Sequence, residues 1–241
     1  MLAPLAADFR ILALDQRGHG ASSLTTVVAG RTDWNDFRDD LIVLLETLDV
    51  RGAVFSGHSM GGATCLTAAA RTPGRARRLV LFDPVILAKE PLSPATQGPH
   101  GGLIEGARRR RSHFADRESA VQAYLGRGAF RSWPPEMVAD YVEGGFVDVP
   151  GGGVRLACAP AWEASTFEAQ ANDPWSAFAA IDCPVEILKA EVGSTCRTEG
   201  REAALAATGH VHIETVAGTS HFLPMERADL ATETLRQALQ G

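Results

Sequence analysis

Five short apolar runs punctuate the chain: FRILALD (9–15), GAVFSG (52–57), RLVLFD (78–83), PVEILKA (184–190) and HVHIETV (210–216), with stretches of helical period between them. This alternation predicts a mainly parallel sheet with helices on both faces. The first three runs have near-continuous apolar centres, as strands covered on both faces do. Between the first two, Trp34, Phe37, Leu41, Leu44, Leu45 and Leu48 fall on one helical stripe, with Thr32 and Asp33 placed to cap its start. A terminal helix follows Pro224, with Ala228, Ala231, Leu235 and Leu239 at helical spacing.

Residues 85–178 break this rhythm. Helical stretches near 103–115, 117–125 and 135–145 are followed by the turn-rich PGGG at 150–153 and a short VRLACA run. The segment also holds Trp133, Trp162 and Trp175. Its length is that of a sub-domain rather than a loop. The expected organisation is a core of 1–84 and 179–241 with 85–178 inserted as a helical lid.

Composition narrows the function classes. At 241 residues, with 45% hydrophobic and 22% charged positions, the chain is an ordinary globular domain with room for one insertion. A net charge of −6 argues against a dedicated nucleic-acid binder, which needs a basic surface. Cys65, Cys158, Cys183 and Cys196 lie far apart with no CxxC spacing, so neither a zinc knuckle nor a disulfide framework is indicated. The opening MLAPLAADFRILALD lacks a basic leader region, and no apolar run approaches the ~18 residues of a membrane span. A soluble, cytoplasmic protein with no membrane partner is expected; the oligomeric state is left open.

The chemistry is concentrated in Gly57-His58-Ser59-Met60-Gly61-Gly62, which follows an apolar run and precedes the small-residue stretch ATCLTAAA. A G-x-S-x-G sequence between a strand and a helix is a nucleophile elbow. The turn strains the serine, lifts its hydroxyl above the sheet edge, and points the backbone N–H of Met60 at a developing oxyanion. The same glycines do not make a phosphate loop, because the Lys-Ser/Thr of that motif is missing and no GxGxxG follows the first run. His58, inside the elbow, is read as packing or lining the pocket. His210 and His212 are read with Glu214 as an outward polar strand face rather than a metal site, since no third ligand is evident. Arg108 to Arg111 spread around a helix as a solvated face. Phe130, Trp133 and Trp162 either wall an apolar substrate pocket or hold the lid together.

With these motifs in place, the chain resembles the α/β-hydrolase superfamily, in its lidded esterase, lactonase and haloperoxidase-like branch, over nearly its whole length. Asp15-Gln16-Arg17-Gly18-His19-Gly20-Ala21-Ser22 is similar to the D-x-R-G-x-G-x-S loop after the family's fourth strand. Gly218-Thr219-Ser220-His221-Phe222 is similar to the G-x-x-H turn after its last strand. The resemblance implies an α/β fold with a mostly parallel sheet, helices on both faces and an inserted lid. It implies Ser59 as nucleophile and His221 as general base. Many members place the acid after the seventh strand, but Lys189-Ala190-Glu191-Val192-Gly193-Ser194-Thr195 holds no aspartate there. Some place it after the sixth strand, where Asp83 stands. Asp83 is favoured over Glu191, with the absence of any acid as the remaining reading.

The same resemblance exposes a gap. The first run found here already carries the loop that follows the family's fourth strand, and MLAPLAAD matches the tail of the helix before it. The family's third strand lies between the fourth and fifth, and an H-G-type loop at its end supplies a second oxyanion donor, worth about 3 kcal/mol. The sequence is therefore read as N-terminally incomplete, with 9–15 pairing directly with 52–57 or another chain filling the gap. Two functions follow as expectations. One is a serine hydrolase cleaving a carboxylic ester or lactone of a small to medium organic molecule through an acyl-enzyme on Ser59. The other is a non-catalytic or vestigial ligand-binding protein of the same fold. The triad implies no cofactor and no metal.

Overall fold

A computed structural model describes residues 2–87, 100–169 and 171–241. In chain order the elements are α1 (Asn35–Thr47), β1 (Ala53–His58), α2 (Met60–Arg71), β2 (Ala76–Phe82), α3 (His100–Arg108), β3 (His113–Phe114), α4 (Arg117–Tyr124), α5 (Pro135–Gly145), β4 (Phe146–Asp148) and β5 (Val154–Leu156). They continue as α6 (Pro160–Glu168), α7 (Pro174–Ala180), β6 (Val185–Val192), α8 (Glu202–Ala206), β7 (Val211–Ser220), α9 (Leu223–Glu226) and α10 (Ala228–Gln240). The chain divides into two compact units: Met1–Leu12 with Asn35–Pro91 and Asn172–Gly241, and Ala13–Trp34 with Leu92–Ala171.

The first unit is built on a parallel sheet of order β1-β2-β6-β7. Successive side chains of β2 leave opposite faces: Leu79 and Leu81 join a cluster with Leu41 and Leu45 of α1 and Leu66 of α2, while Val80 and Phe82 join Leu223, Leu235 and Ala238 on the other side. Both faces are therefore dry, which is why this strand reads as an unbroken apolar run rather than an alternating one. The small residues opening α2 let it lie close to the sheet, since a Cβ on Gly62 would meet the Pro84 side chain at 2.9 Å. Pro224 sits in the first turn of α9, where its missing N–H costs nothing, and α10 completes the second face.

Four of the five anticipated strands form. The exception is 9–15, which has no strand assignment; among the described residues β1 pairs only with β2, so the expected direct pairing of 9–15 with 52–57 does not occur. A strand exists only through a ladder of hydrogen bonds to a neighbour, and apolar content cannot supply one. Phe9 and Ile11 still pack against the cluster around Leu235, whereas Leu12 and Leu14 are exposed.

The second unit is mixed. Helices α3 to α6 accompany a three-stranded antiparallel sheet of order β3-β5-β4; the helix expected over 103–115 ends at Arg108, and 113–114 form β3 instead. The turn before β5 uses Gly151, Gly152 and Gly153 at φ of 92°, 109° and 84°, and a Cβ on Gly153 would lie 2.7 Å from the Phe114 carbonyl oxygen. Tyr124, Phe130, Trp133 and Tyr141 form an edge-to-face and stacked aromatic cluster. The arginine run does not spread around a helix as expected, because α3 ends at Arg108: Arg108 pairs with Glu168 and Arg109 with Glu105 at the surface, Arg110 is partly buried against Glu163 and the Tyr141 hydroxyl, and Arg111 lies over Phe114. The loop 15–22 belongs here. Asp15 accepts the Ala21 N–H at 2.8 Å, Gly18 leaves no room for a Cβ against Trp162, and the Trp162 indole donates to the Arg17 carbonyl at 3.0 Å.

The division differs from the expected boundaries in three places. Ala13–Trp34 falls with the second unit, while 85–87 and 172–178 fall with the sheet, where Ile86, Trp175 and Phe178 pack in or against its core. No described helix is long and apolar enough to cross a membrane, and Cys65, Cys158, Cys183 and Cys196 are all unpaired.

Leu81 and Ile187 are register partners at the centre of the sheet and have no exposed surface. Leu81→Ala is expected to cost about 2–5 kcal/mol, measured as a lowered urea midpoint with an unchanged denaturant slope.

Candidate active site

Three side chains meet at the carboxyl ends of β1, β2 and β7. Ser59 occupies the turn from β1 into α2 at φ 54° and ψ −122°, a conformation that L side chains rarely adopt. The strain, about 1–3 kcal/mol, is held by backbone bonds: the Ser59 N–H donates to Phe82 O at 3.1 Å, and Ser59 O accepts from Gly62, Ala63 and Val85. Gly57 is required by space alone, since a Cβ there would stand 2.4 Å from Gly61 backbone atoms. Met60 is the first residue of α2, so its N–H has no acceptor within the helix.

Asp83 follows β2 directly, also at positive φ (40°), with its N–H donated to Leu188 O at 2.7 Å. Its carboxylate is wholly buried. Oδ1 accepts the Ala190 N–H at 2.9 Å and the Ser194 hydroxyl at 2.5 Å, and Oδ2 accepts the Thr195 N–H at 3.0 Å. Burial alone would push this carboxyl up, but the bonds from His221, Ser194, Ala190 and Thr195 outweigh it and hold the group below its ordinary 3.8. Asp83 is therefore an anion at neutral pH and can only accept hydrogen bonds.

His221 lies just beyond β7, with Nδ1 2.6 Å from Asp83 Oδ2 and Nε2 3.0 Å from Ser59 Oγ. An acceptor-only carboxylate requires the proton on Nδ1, which leaves the Nε2 lone pair facing the serine hydroxyl. Two further contacts fix the imidazole's backbone. His58 donates from Nε2 to the His221 carbonyl at 2.6 Å, and Glu226 receives both the N–H and the hydroxyl of Ser220 at 2.8 and 2.5 Å. Burial, reinforced by the neighbouring His221, lowers His58 to about 4, so it stays neutral and keeps its donor role.

The sequence-predicted residues thus divide cleanly. Ser59, His221 and Asp83 converge, with Met60 at the helix start. Glu191 does not join them: it is exposed and accepts the Gly218 N–H at 2.8 Å. His19 bonds to Arg17 O within its own loop, and His212 and Glu214 are exposed along β7. No group of three His, Cys, Asp or Glu side chains among the described residues is placed to hold a metal. Sequence reasoning missed the bonding roles of His58, Ser194, Thr195 and Glu226. The only hint was that hydroxyls, not a carboxylate, occupy the stretch after the fourth apolar run.

Comparison with known proteins agrees with this architecture. The chain matches the Alpha/beta hydrolase family over residues 1–233, and it belongs to that family. It is 28% identical over 223 residues to 2-(acetamidomethylene)succinate hydrolase of Mesorhizobium japonicum, spanning 91% of this chain and 74% of that one. A non-heme chloroperoxidase of Streptomyces lividans is 37% identical over 97 residues, 39% of this chain and 34% of that protein. The crystal structure of E-2-(acetamidomethylene)succinate hydrolase superposes with a TM-score of 0.77 at 24% identity, covering 100% of this chain and 86% of that chain. The enol-lactonase from Burkholderia xenovorans gives 0.68 at 26% identity, covering 99% and 84%. The fold is that of the α/β-hydrolases.

Two outcomes test the geometry. Gly57→Ala is expected to lower stability by about 1–3 kcal/mol, while Gly61→Ala, with open space at its Cβ, stays within about 0.5 kcal/mol; urea denaturation of both separates a packing demand from general intolerance. Because the folded Asp83 titrates below its ordinary 3.8, its anion contributes stability that is complete above that pH and is lost as pH falls through the lower folded value. Urea unfolding across that range should show a shallower acid-side decline in Asp83→Asn than in the native chain.

Proposed function

We propose that this chain is a serine hydrolase that cleaves a carboxylic ester or lactone of a small to medium organic molecule through an acyl-enzyme on Ser59. The observation that carries the reading is the continuous hydrogen-bonded line from Ser59 Oγ through His221 to the buried Asp83, at 3.0 and 2.6 Å. As Oγ attacks the carbonyl carbon, His221 Nε2 takes its proton, and Asp83 stabilises the imidazolium without itself being protonated. Negative charge collects on the former carbonyl oxygen, where the Met60 N–H and the positive end of α2 face it. The proton on Nε2 passes to the departing alkoxide, leaving the acyl group on Ser59. Water then repeats the sequence: His221 removes its proton, the hydroxide oxygen bonds the acyl carbon, and Ser59 leaves with the proton returned.

Hydrolase and lactonase activities in the names of the relatives support a hydrolytic reaction, and nothing in the line of proton transfers calls for a cofactor. We assign the insertion between β2 and β6 the role of a lid that selects the substrate. Free thiols support a cytoplasmic setting.

A fluorophosphonate probe is expected to label the native chain at Ser59, and Ser59→Ala and His221→Ala should abolish labelling. Turnover of p-nitrophenyl esters of graded acyl length should fall by roughly 10⁴-fold or more in Ser59→Ala. A folded native chain that neither labels nor turns over any ester overturns this reading in favour of a ligand-binding protein.

A further inference from the structure

The stretch after β6, where many relatives of this fold carry the acid, here carries two hydroxyls aimed at an acid from another strand. Ser194 Oγ accepts the Cys196 N–H at 3.0 Å, which commits its own hydrogen to Asp83 Oδ1 at 2.5 Å. Thr195 Oγ1 stands 3.1 Å from the Asp83 carbonyl oxygen, 3.4 Å from Asp83 Oδ2 and 3.3 Å from His221 Nδ1. Its single hydrogen goes to the nearest acceptor, the Asp83 carbonyl, so a lone pair is left facing the Nδ1–H of His221. The segment is itself immobilised. Ile86 donates to Thr195 O at 3.1 Å, Arg197 donates to Ile86 O at 2.8 Å, and Ile86 and Cys196 form a parallel bridge.

We propose that Ser194 and Thr195 are positioning residues for the reaction, Ser194 fixing the rotation of the Asp83 carboxylate so that Oδ2 faces the histidine, and Thr195 acting as a second acceptor that holds the Nδ1-protonated imidazole. The inference rests on the proposed serine-hydrolase function. A carboxylate with only the histidine as partner is free to rotate about its last bond. Here one oxygen is occupied by Ala190 and Ser194 and the other by the Thr195 N–H, so the oxygen facing His221 keeps its place through the catalytic cycle. The other titratable groups around Asp83 are His221 beyond β7, His58 at the end of β1, and the Cys196 thiol, which burial raises to about 12 and which therefore stays neutral. None of these replaces the Ser194 donor.

The test compares Ser194→Ala and Thr195→Val with the hydroxyl-retaining Ser194→Thr and Thr195→Ser, using fluorophosphonate labelling rates and p-nitrophenyl ester kinetics between about pH 5 and 9. Loss of one hydrogen bond to a charged group should lower kcat and the labelling rate about tenfold to a hundredfold, with KM within about twofold. The hydroxyl-retaining pair should recover most of the loss. The acid limb of the kcat/KM profile should move to higher pH in Ser194→Ala, because a carboxylate relieved of a donor holds the shared proton more tightly. Labelling rates of both alanine-type variants within twofold of the native chain overturn the positioning role while leaving Ser59 chemistry intact. Losses that the hydroxyl-retaining variants do not recover, or losses with an unmoved pH profile, also overturn it by marking a structural effect. A folded native chain that fails to label at all removes the serine-hydrolase reading, and this inference with it.

Discussion

A fully buried carboxylate organises this structure. Taking Asp83 out of water costs several kcal/mol unless every lone pair finds a donor. The fold meets that demand from three directions: Ala190 on β6, Ser194 and Thr195 in the stretch that follows, and His221 beyond β7. Those donors come from positions 107 to 138 residues away along the chain. Only the strand order β2-β6-β7 places them side by side. The same electrostatic requirement that threatens the core therefore ties its sheet together and aligns the imidazole.

The serine is bound to this arrangement through the backbone. Ser59 donates to Phe82, the residue before Asp83, and accepts from Val85, two residues after it. Two strained turns, at φ 54° and 40°, are thus braced against each other across adjacent parallel strands. Strain of this kind persists only where the surroundings over-determine it, and here both faces of β2 are dry and closely packed. His58 adds a further constraint by bonding the main chain of His221, whose side chain bridges Asp83 and Ser59. Its burial lowers its pKa to about 4 and keeps it neutral, so the contact persists at neutral pH.

The insertion follows a different physical logic. Its antiparallel sheet is small, and its cohesion comes from aromatic contacts among Tyr124, Phe130, Trp133 and Tyr141 and from arginines engaged by glutamates. Trp162 explains how the glycine-rich loop at 15–22 comes to belong to this unit, since its ring fills the space that a side chain at Gly18 would need. A loop that resembles a sheet-following motif in sequence is in this way organised by a tryptophan far downstream.

The amino-acid sequence by itself determined the elements whose causes are local. The apolar period marked β1, β2, β6 and β7, the G-x-S-x-G turn marked Ser59 and the Met60 N–H, and the glycine before His221 marked the final turn. Tertiary structure decided what depends on partners. It selected Asp83 over Glu191 as the carboxylate beside His221, because reach across a sheet is fixed by strand order rather than by spacing along the chain. It withheld strand structure from 9–15, because a strand is a property of a hydrogen-bonded pair and, among the described residues, that run is paired with no strand. It also gave Ser194 and Thr195 their place, since a hydroxyl acquires direction only from the atoms that surround it.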